Sequence, residues 1–288
     1  RMVLGTHVTL EQGTGAVHTA PGHGMEDFIV CQQYGIPTVV PVDGAGRFTA
    51  EFSLMEGMGV WEANKPIIRY LDEKDILVHT ADHPHSYPHC WRCHNPIIYR
   101  ATEQWFMAVD HKGLREAALE RIDNGIEFIP KWGHDRIYNM MQSRPDWCLS
   151  RQRVWGVPIP AIVCRDSGRA FLSTDVIDRF IAAVEEKGTN AWYELPVEAF
   201  VPEGFVSPFS GGRNFEKEFN ILDVWFDSGA THIAVLEQRP ELSWPADLYL
   251  EGSDQHRGWF QSSLLVAMGA RKAPPYKAVL THGFVLDG

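Results

Sequence analysis

The chain has 288 residues, 44 % of them hydrophobic, enough for one large or two modest domains with a packed core. No run of about 18 apolar residues occurs, and Arg1-Met2-Val3-Leu4-Gly5 is neither a secretory leader nor a transit peptide, so no membrane span and a cytoplasmic location are expected. The net charge of -11 argues against a general nucleic-acid binder, and five scattered cysteines (Cys31, Cys90, Cys93, Cys148, Cys164) do not make a disulfide framework.

The pattern predicts a short extended piece over Ala16–Thr19 after the Gly13-Thr14-Gly15 turn, then a loop at Pro21-Gly22-His23-Gly24. A helix follows over Met25–Tyr34, stopped by Gly35, then a short strand at Thr38–Val42 and helical spacing over Pro66–Leu77. Residues 82–96 are dense in proline and histidine and read as a crossing between domains. Helical patterns recur at about 111–123, 133–143 and 174–187, the last with Ser173 as a cap and Gly188 as a stop. Val201–Phe219 reads as a loop. Leu248-Tyr249-Leu250, a helix over Gln255–Met268 closed by Gly269, and Ala278-Val279-Leu280 read as strand, helix, strand in a parallel sheet. Ligands of such sheets sit beyond the carboxyl ends of the strands, which brings Glu251–Asp254 and Thr281-His282-Gly283 to one crevice. Charge is uneven: residues 86–170 carry a net +3 between -6 before them and -8 after. That middle can meet phosphates, or be an ordinary solvated surface.

Several clusters carry candidate chemistry, each with a plainer reading beside it. The loop around His18, His23 and Asp27 brings backbone close to a ligand, yet Asp27 at a helix start can simply cap it and His18 can be structural. A metal site from these three lacks a recognised ligand spacing. Cys90-Trp91-Arg92-Cys93 is half of a four-ligand zinc site or an unmetallated pair. Arg151 and Arg153, among aromatics and turn residues, suit phosphate or carboxylate, or are surface charges beside a core loop. Asp223–Gly229 sets Trp225 and Phe226 between two carboxylates, as ligand wall or as core. Gln255 and Trp259 share a helical face, where an amide oxygen can accept from an ammonium and an indole can cover an alkyl side chain. Glu251 can accept from an amine or a ribose hydroxyl, and the same residues also suit plain packing.

Six segments, in order, resemble isoleucyl-tRNA synthetase of the class I aminoacyl-tRNA synthetases: Gly13–Gly24 with Asp27 and Phe28, Ser86–Cys93, Pro145–Pro160, Asp223–His232, Tyr249–Leu264 and Leu280–Gly288. The valine and leucine relatives share the first and third but resemble Asp223–Gly229 and Glu251–Phe260 less well. The resemblance implies an α/β fold: the later part of a β-rich editing domain over residues 1–84, and the second half of a Rossmann-type parallel-sheet catalytic domain over 85–288. It implies that Asp27 and His18 belong to an editing pocket for valyl-tRNA. Glu251, Gly252, Asp254 and Gln255 would surround the aminoacyl-adenylate, Trp225 and Trp259 would wall the isoleucine pocket, and His282 and Gly283 would lie near the adenosine. Cys90 and Cys93 would be a zinc knuckle that some members complete elsewhere. ATP and Mg²⁺ are implied as cofactors, with Zn²⁺ at the knuckle, and isoleucine and tRNA-Ile as partners of a monomer with no membrane contact. The His-Ile-Gly-His and Lys-Met-Ser-Lys-Ser motifs of the family are absent, so the expectation is an internal piece that does not charge tRNA alone. A valine-specific relative, a metal-dependent hydrolase on His18, His23 and Asp27, and a non-catalytic piece that holds a tRNA end are the alternatives.

Overall fold

The computed structural model describes every residue except Gln12, His83, Val285 and Gly288. It forms two compact units, Arg1–Glu103 and Gln104–Gly288. The division falls later than the 84/85 boundary read from the sequence. Residues 85–103 stay with the first unit because Ala101 N–H donates to the Gly22 carbonyl (2.7 Å), His23 Nδ1 lies 2.9 Å from the Tyr99 carbonyl, and the Tyr87 ring meets Trp61 edge-on at 5.5 Å.

In the first unit, α1 (Met25–Gln33) carries Glu26 and Asp27 in its first turn, where carboxylates complement the helix dipole. Gly35, at φ 61°, turns the chain away after it. The second helix, α2 (Val60–Glu73), begins earlier than Pro66 because Gly59 N–H donates to the Glu62 carboxylate (3.4 Å) and so caps a first turn. Pro66 lies inside it and loses one N–H, while Ala63, Ile67 and Leu71 keep one face inward. The β-rich character expected of residues 1–84 is not realised among the described residues. Ala16–Thr19 and Thr38–Val42 form no ladder, and extended chain meets only in isolated bridges such as Val42↔Phe48 and Arg47↔Gly59. Pro37 precedes Thr38–Val42 and Pro41 lies inside it, and the two remove donors that a ladder would need.

The second unit runs β1 (Phe106–Met107), α3 (Leu114–Asn124), β2 (Glu127–Ile129), α4 (Trp132–Gln142), β3 (Trp147–Cys148), β4 (Ser150–Arg151), β5 (Ala161–Cys164), β6 (Arg169–Leu172), α5 (Thr174–Lys187), α6 (Ala191–Glu194), β7 (Phe215–Lys217), β8 (Ile221–Leu222), α7 (Val224–Gly229), β9 (Ala246–Gly252), α8 (Trp259–Arg271) and β10 (Tyr276–His282). Strands β2, β10 and β9 form a parallel sheet in that order, with α8 as the crossover between the last two. The nine residues Phe260–Met268 of α8 are all buried, so this helix is enclosed around its whole girth. Around it lie Ile122, Ile137, Met141, Tyr249 and Val279. The buried Tyr276 hydroxyl donates to the Phe260 carbonyl (2.9 Å) and ties sheet to helix.

Three details differ from the pattern reading. Residues 253–256 form a separate 3₁₀ turn, and α8 starts only at Trp259, after a break at Gly258. The helix passes Gly269, which has open space around its Cα, and ends where Lys272 turns left-handed at φ 61°. Within Val201–Phe219, β7 pairs with β5 to make an antiparallel sheet β6-β5-β7. This second sheet has its own core of Ile162, Val176, Phe180, Trp192 and Phe200, packed with α5 and α6.

Candidate functional site

The parallel sheet sets the site. Thr281 pairs with Glu251 and His282 with Gly252, so both strands end side by side. A Cβ on Gly252 would lie 2.8 Å from Asp254 Oδ1 and 3.8 Å from His282 Cε1, so the bare glycine lets these two side chains approach the strand end. Glu251, Asp254, His282 and Gly283 are exposed there. His282 Nδ1 lies 2.6 Å from the Gly283 carbonyl, which can only accept, so Nδ1 donates there.

Gln255 and Trp259 come together as their spacing predicts, by a different route. The Gln255 Oε1 accepts from Trp259 N–H (2.9 Å), and its Nε2 donates to Asp254 Oδ2 (2.9 Å). The amide oxygen expected to be free for an ammonium thus caps α8, with one of its two lone pairs remaining. A Cβ on Gly258 would sit 2.5 Å from Gln255 Oε1 and 2.9 Å from Trp225 Cη2, so Trp225 and Gln255 converge on the residue before Trp259. The Trp259 ring stacks on Tyr249 at 4.0 Å and donates through Nε1 to the Ser228 carbonyl (3.0 Å) and toward Thr231 Oγ1 (3.3 Å). Trp225 is 41 % exposed, so it is a wall open to solvent rather than core.

Asp223 holds this wall in place. Its buried carboxylate accepts from Trp147 Nε1 (2.9 Å), Arg151 Nη2 (2.8 Å) and Trp225 N–H (3.2 Å), the last capping α7. The pairing of Arg151 with Asp223 was not legible in sequence, since 72 residues separate them. Tyr249, Ser228 and Thr231 were missed as partners of Trp259, and no local signal marks them. Asp227 is partly buried, and burial first, then the Asp223 charge, raises its carboxyl above the usual range.

In the first unit, a cavity of about 700 Å³ is lined by His18, Pro21, His23, Val42, Phe48 and Tyr99 among others. His18 is exposed at it, and Asp27 is not among its lining residues. The Asp27 Oδ2 accepts from Ala20 N–H (2.9 Å), which fastens the loop to α1, and its Oδ1 lies 4.0 Å from His7 Nε2. The metal-dependent reading of His18, His23 and Asp27 does not hold, because among the described residues no three His, Cys, Asp or Glu side chains gather as a ligand set. His23 is turned to the Tyr99 carbonyl and Asp27 to Ala20.

Cys90 and Cys93 form a tight knuckle. Cys90 N–H donates to the Asn95 carbonyl (2.8 Å), His94 N–H donates to the Cys90 carbonyl (2.8 Å), and His94 is left-handed at φ 58°. The backbone N–H groups of Cys93 and Arg92 hold the Cys90 thiol below its ordinary value. Two thiolates are half of the four donors that structural zinc takes, so the pair alone does not fit the ion.

Comparison with known proteins follows this geometry. The family described as tRNA synthetases class I (I, L, M and V) matches residues 19–288. An isoleucine–tRNA ligase of Desulfitobacterium hafniense is 56 % identical over 286 residues, 99 % of this chain and 31 % of its own length. That of Thermotoga maritima is 54 % identical over 288 residues, 100 % of this chain and 31 % of its own. The chain therefore spans about a third of the curated relatives it matches. A ternary complex of Agrobacterium radiobacter K84 agnB2 LeuRS with tRNA and LeuAMS covers 49 % of this chain and 20 % of its own at 20 % identity and TM-score 0.31, a likeness too slight to bear on the fold. No described helix is long and apolar enough to cross a membrane. With the family matched across both units, from Thr19 to the last residue, the chain belongs to the class I tRNA synthetases.

Proposed function

We propose that the chain supplies the amino-acid side of the activating site, and part of an editing site, of an isoleucine–tRNA ligase. The observation that carries this reading is the meeting of Trp225, Gln255 and Trp259 around Gly258, beside the ends of β9 and β10. It combines two half-open aromatic walls for an alkyl side chain with a spare amide lone pair and the Glu251 carboxylate for an ammonium. The 54–56 % identity along this chain to isoleucine–tRNA ligases favours isoleucine over valine.

In the reaction, an isoleucine carboxylate oxygen attacks the α-phosphorus of ATP, and the bond to the bridging oxygen breaks to release pyrophosphate. A ribose hydroxyl of the tRNA terminus then attacks the acyl carbon, and AMP leaves. Mg²⁺ neutralises phosphate charge when bound. The residues here bind and orient: Trp225 and Trp259 grip the side chain, Glu251 and Gln255 hold the ammonium, and Gly252, Asp254, His282 and Gly283 border the adenylate. Positioning of this kind lowers the barrier by removing orientational freedom before the step.

An apolar wall separates isoleucine from valine by only about 1–3 kcal/mol, a limit that isoleucyl-tRNA synthetases themselves illustrate. A second, hydrolytic sieve answers that limit. His18 borders the cavity of the first unit, and Asp27 has a second carboxylate oxygen for the ammonium of misattached valine.

The test is a chimera in which this chain replaces the matching third of the Thermotoga maritima relative, with the unaltered relative as control. Isoleucine-dependent exchange of pyrophosphate into ATP within about tenfold of the control is expected, with deacylation of valyl-tRNA that Asp27→Ala abolishes. Exchange stronger with valine would move the chain to the valine enzymes. A folded chimera that retains tRNA but exchanges with neither amino acid would leave only the tRNA-holding alternative.

A further inference from the structure

The second unit contains a constellation that the synthetase reaction does not use. Cys164-Arg165-Asp166-Ser167-Gly168 forms the turn from β5 to β6, and Ser207-Pro208-Phe209-Ser210-Gly211 lies shortly before β7. Because β5 pairs with β6 on one side and β7 on the other, with Cys164 opposite both Arg169 and Phe215, the two segments arrive at the same end of the sheet. There Ser210 Oγ lies 3.2 Å from the Cys164 sulfur, within hydrogen-bond reach, and Ser167 and Ser207 bring two more hydroxyls toward the same thiol. Cys164 is fully buried and Ser207 is 2 % exposed.

The backbone of both segments repeats that of the Cys90–Cys93 knuckle. In each, the fifth residue donates its N–H to the carbonyl of the first: His94 to Cys90 (2.8 Å), Gly168 to Cys164 (2.8 Å), Gly211 to Ser207 (2.9 Å). In each, that fifth residue is left-handed, at φ 58°, 67° and 70°. The first residue of two of them also donates to the sixth: Cys90 to Asn95 (2.8 Å) and Ser207 to Gly212 (2.8 Å). Four side chains at positions one and four of two facing knuckles is the arrangement of a tetrahedral zinc ribbon, in which each pair is separated by two residues. The two knuckles also touch, since a Cβ on Gly212 would run into the Asp166 carboxylate.

The donor set is wrong for zinc, however. Structural zinc takes thiolates, imidazoles or carboxylates, and three neutral hydroxyls with one thiolate are a poor set. The hydroxyls instead do to the sulfur what a cation would do. Hydrogen bonding from Ser167 first, then Ser207 and Ser210, holds the thiol down to about 6.

We propose that Cys164, Ser167, Ser207 and Ser210 are a two-knuckle metal scaffold that works without metal, the three hydroxyls replacing the ion around one sulfur, and that cysteines at the three serine positions make it a zinc site. Sulfurs bound at about 2.3 Å in a tetrahedron lie about 3.8 Å apart, a little over half an ångström beyond the present 3.2 Å between Cys164 Sγ and Ser210 Oγ.

The experiment uses the full chain carrying Cys90→Ser and Cys93→Ser, so that the other knuckle contributes no sulfur. Zinc is measured after growth in zinc-supplemented medium and exhaustive dialysis, and Co²⁺ is added to the metal-free protein. The parent is expected to hold less than about 0.1 zinc per chain, and the Ser167→Cys/Ser207→Cys/Ser210→Cys variant about one, with the intense visible bands of tetrahedral thiolate-bound Co²⁺. A stoichiometric zinc in the parent overturns the proposal. So does a triple variant that folds without taking metal, or one that zinc and Co²⁺ fail to fold. The metal-free half is read separately from melting: Cys164→Val, similar in size but with no acceptor, is expected to lower the melting temperature by about 4 °C or more, and Cys164→Ser by much less. Equal losses from the two overturn the role given to the hydroxyls.

Discussion

Asp227 shows what a single side chain near the pocket costs. Its carboxyl is raised by burial and by the neighbouring Asp223 charge, so the folded chain holds this proton more tightly than the unfolded chain does. Below the ordinary carboxyl value of 3.8 both states are protonated and the group contributes nothing to pH dependence. As pH rises past that value the unfolded chain ionises first, and stability falls until the folded carboxyl also loses its proton. Asp227→Asn, which cannot ionise, is therefore expected to melt with the parent near pH 3.5 and about 2 °C or more above it at pH 7. Equal melting at pH 7 would show that the carboxyl is not strained by its surroundings. At this scale the sequence was only partly legible. The four-residue spacing of Gln255 and Trp259 announced that they meet, but the bond between them runs from side chain to backbone across the break at Gly258. Contacts such as Asp223 with Arg151 and Trp147 depend on strands β3, β4 and β8, each two residues long and too short to leave a periodic signal.

Helix α7 and helix α8 meet at Gly229, where a Cβ would lie 2.9 Å from the Ser262 carbonyl oxygen and 3.0 Å from its carbon. Backbone cannot rotate aside as a side chain does, so Gly229→Ala must separate the two helices. A loss of about 1–3 kcal/mol is expected, read from urea unfolding. The same separation strains the bond from Trp259 Nε1 to the Ser228 carbonyl, so quenching of indole fluorescence by acrylamide is expected to rise. An alanine variant as stable as the parent would mean that the helices have room the structure does not show. Elements were most legible where they were long and apolar: β9, α8 and β10 follow from two apolar strands flanking an apolar helix. Thr38–Val42 is apolar too, yet a strand is completed by its neighbour, and here the only described β-pairing is the bridge from Val42 to Phe48. Strand β7 escaped notice because Phe215-Glu216-Lys217 is short and follows a glycine-rich turn.

At the scale of the molecule, the two hydrophobic core clusters both belong to the second unit. Residues 104–288 alone are expected to unfold cooperatively with native-like far-UV dichroism, since both of the larger core clusters, around α8 and around Trp192, lie wholly within them. A non-cooperative melt of that piece would count against the division at Glu103. The boundary was misplaced in sequence because proline and histidine density looks like a linker, while the contacts that fasten residues 85–103 to the first unit come from backbone groups that composition does not report. The enclosure of α8 also bears on how such a chain can diverge. Any mutation along Phe260–Met268 disturbs packing on every side at once, whereas the turn from Glu251 to Trp259 borders open space. Side-chain change that leaves the packing intact is therefore confined almost wholly to that turn and to the facing α7. The rest of the helix is a fixed frame, held on all sides, from whose first turn Trp259 reaches outward.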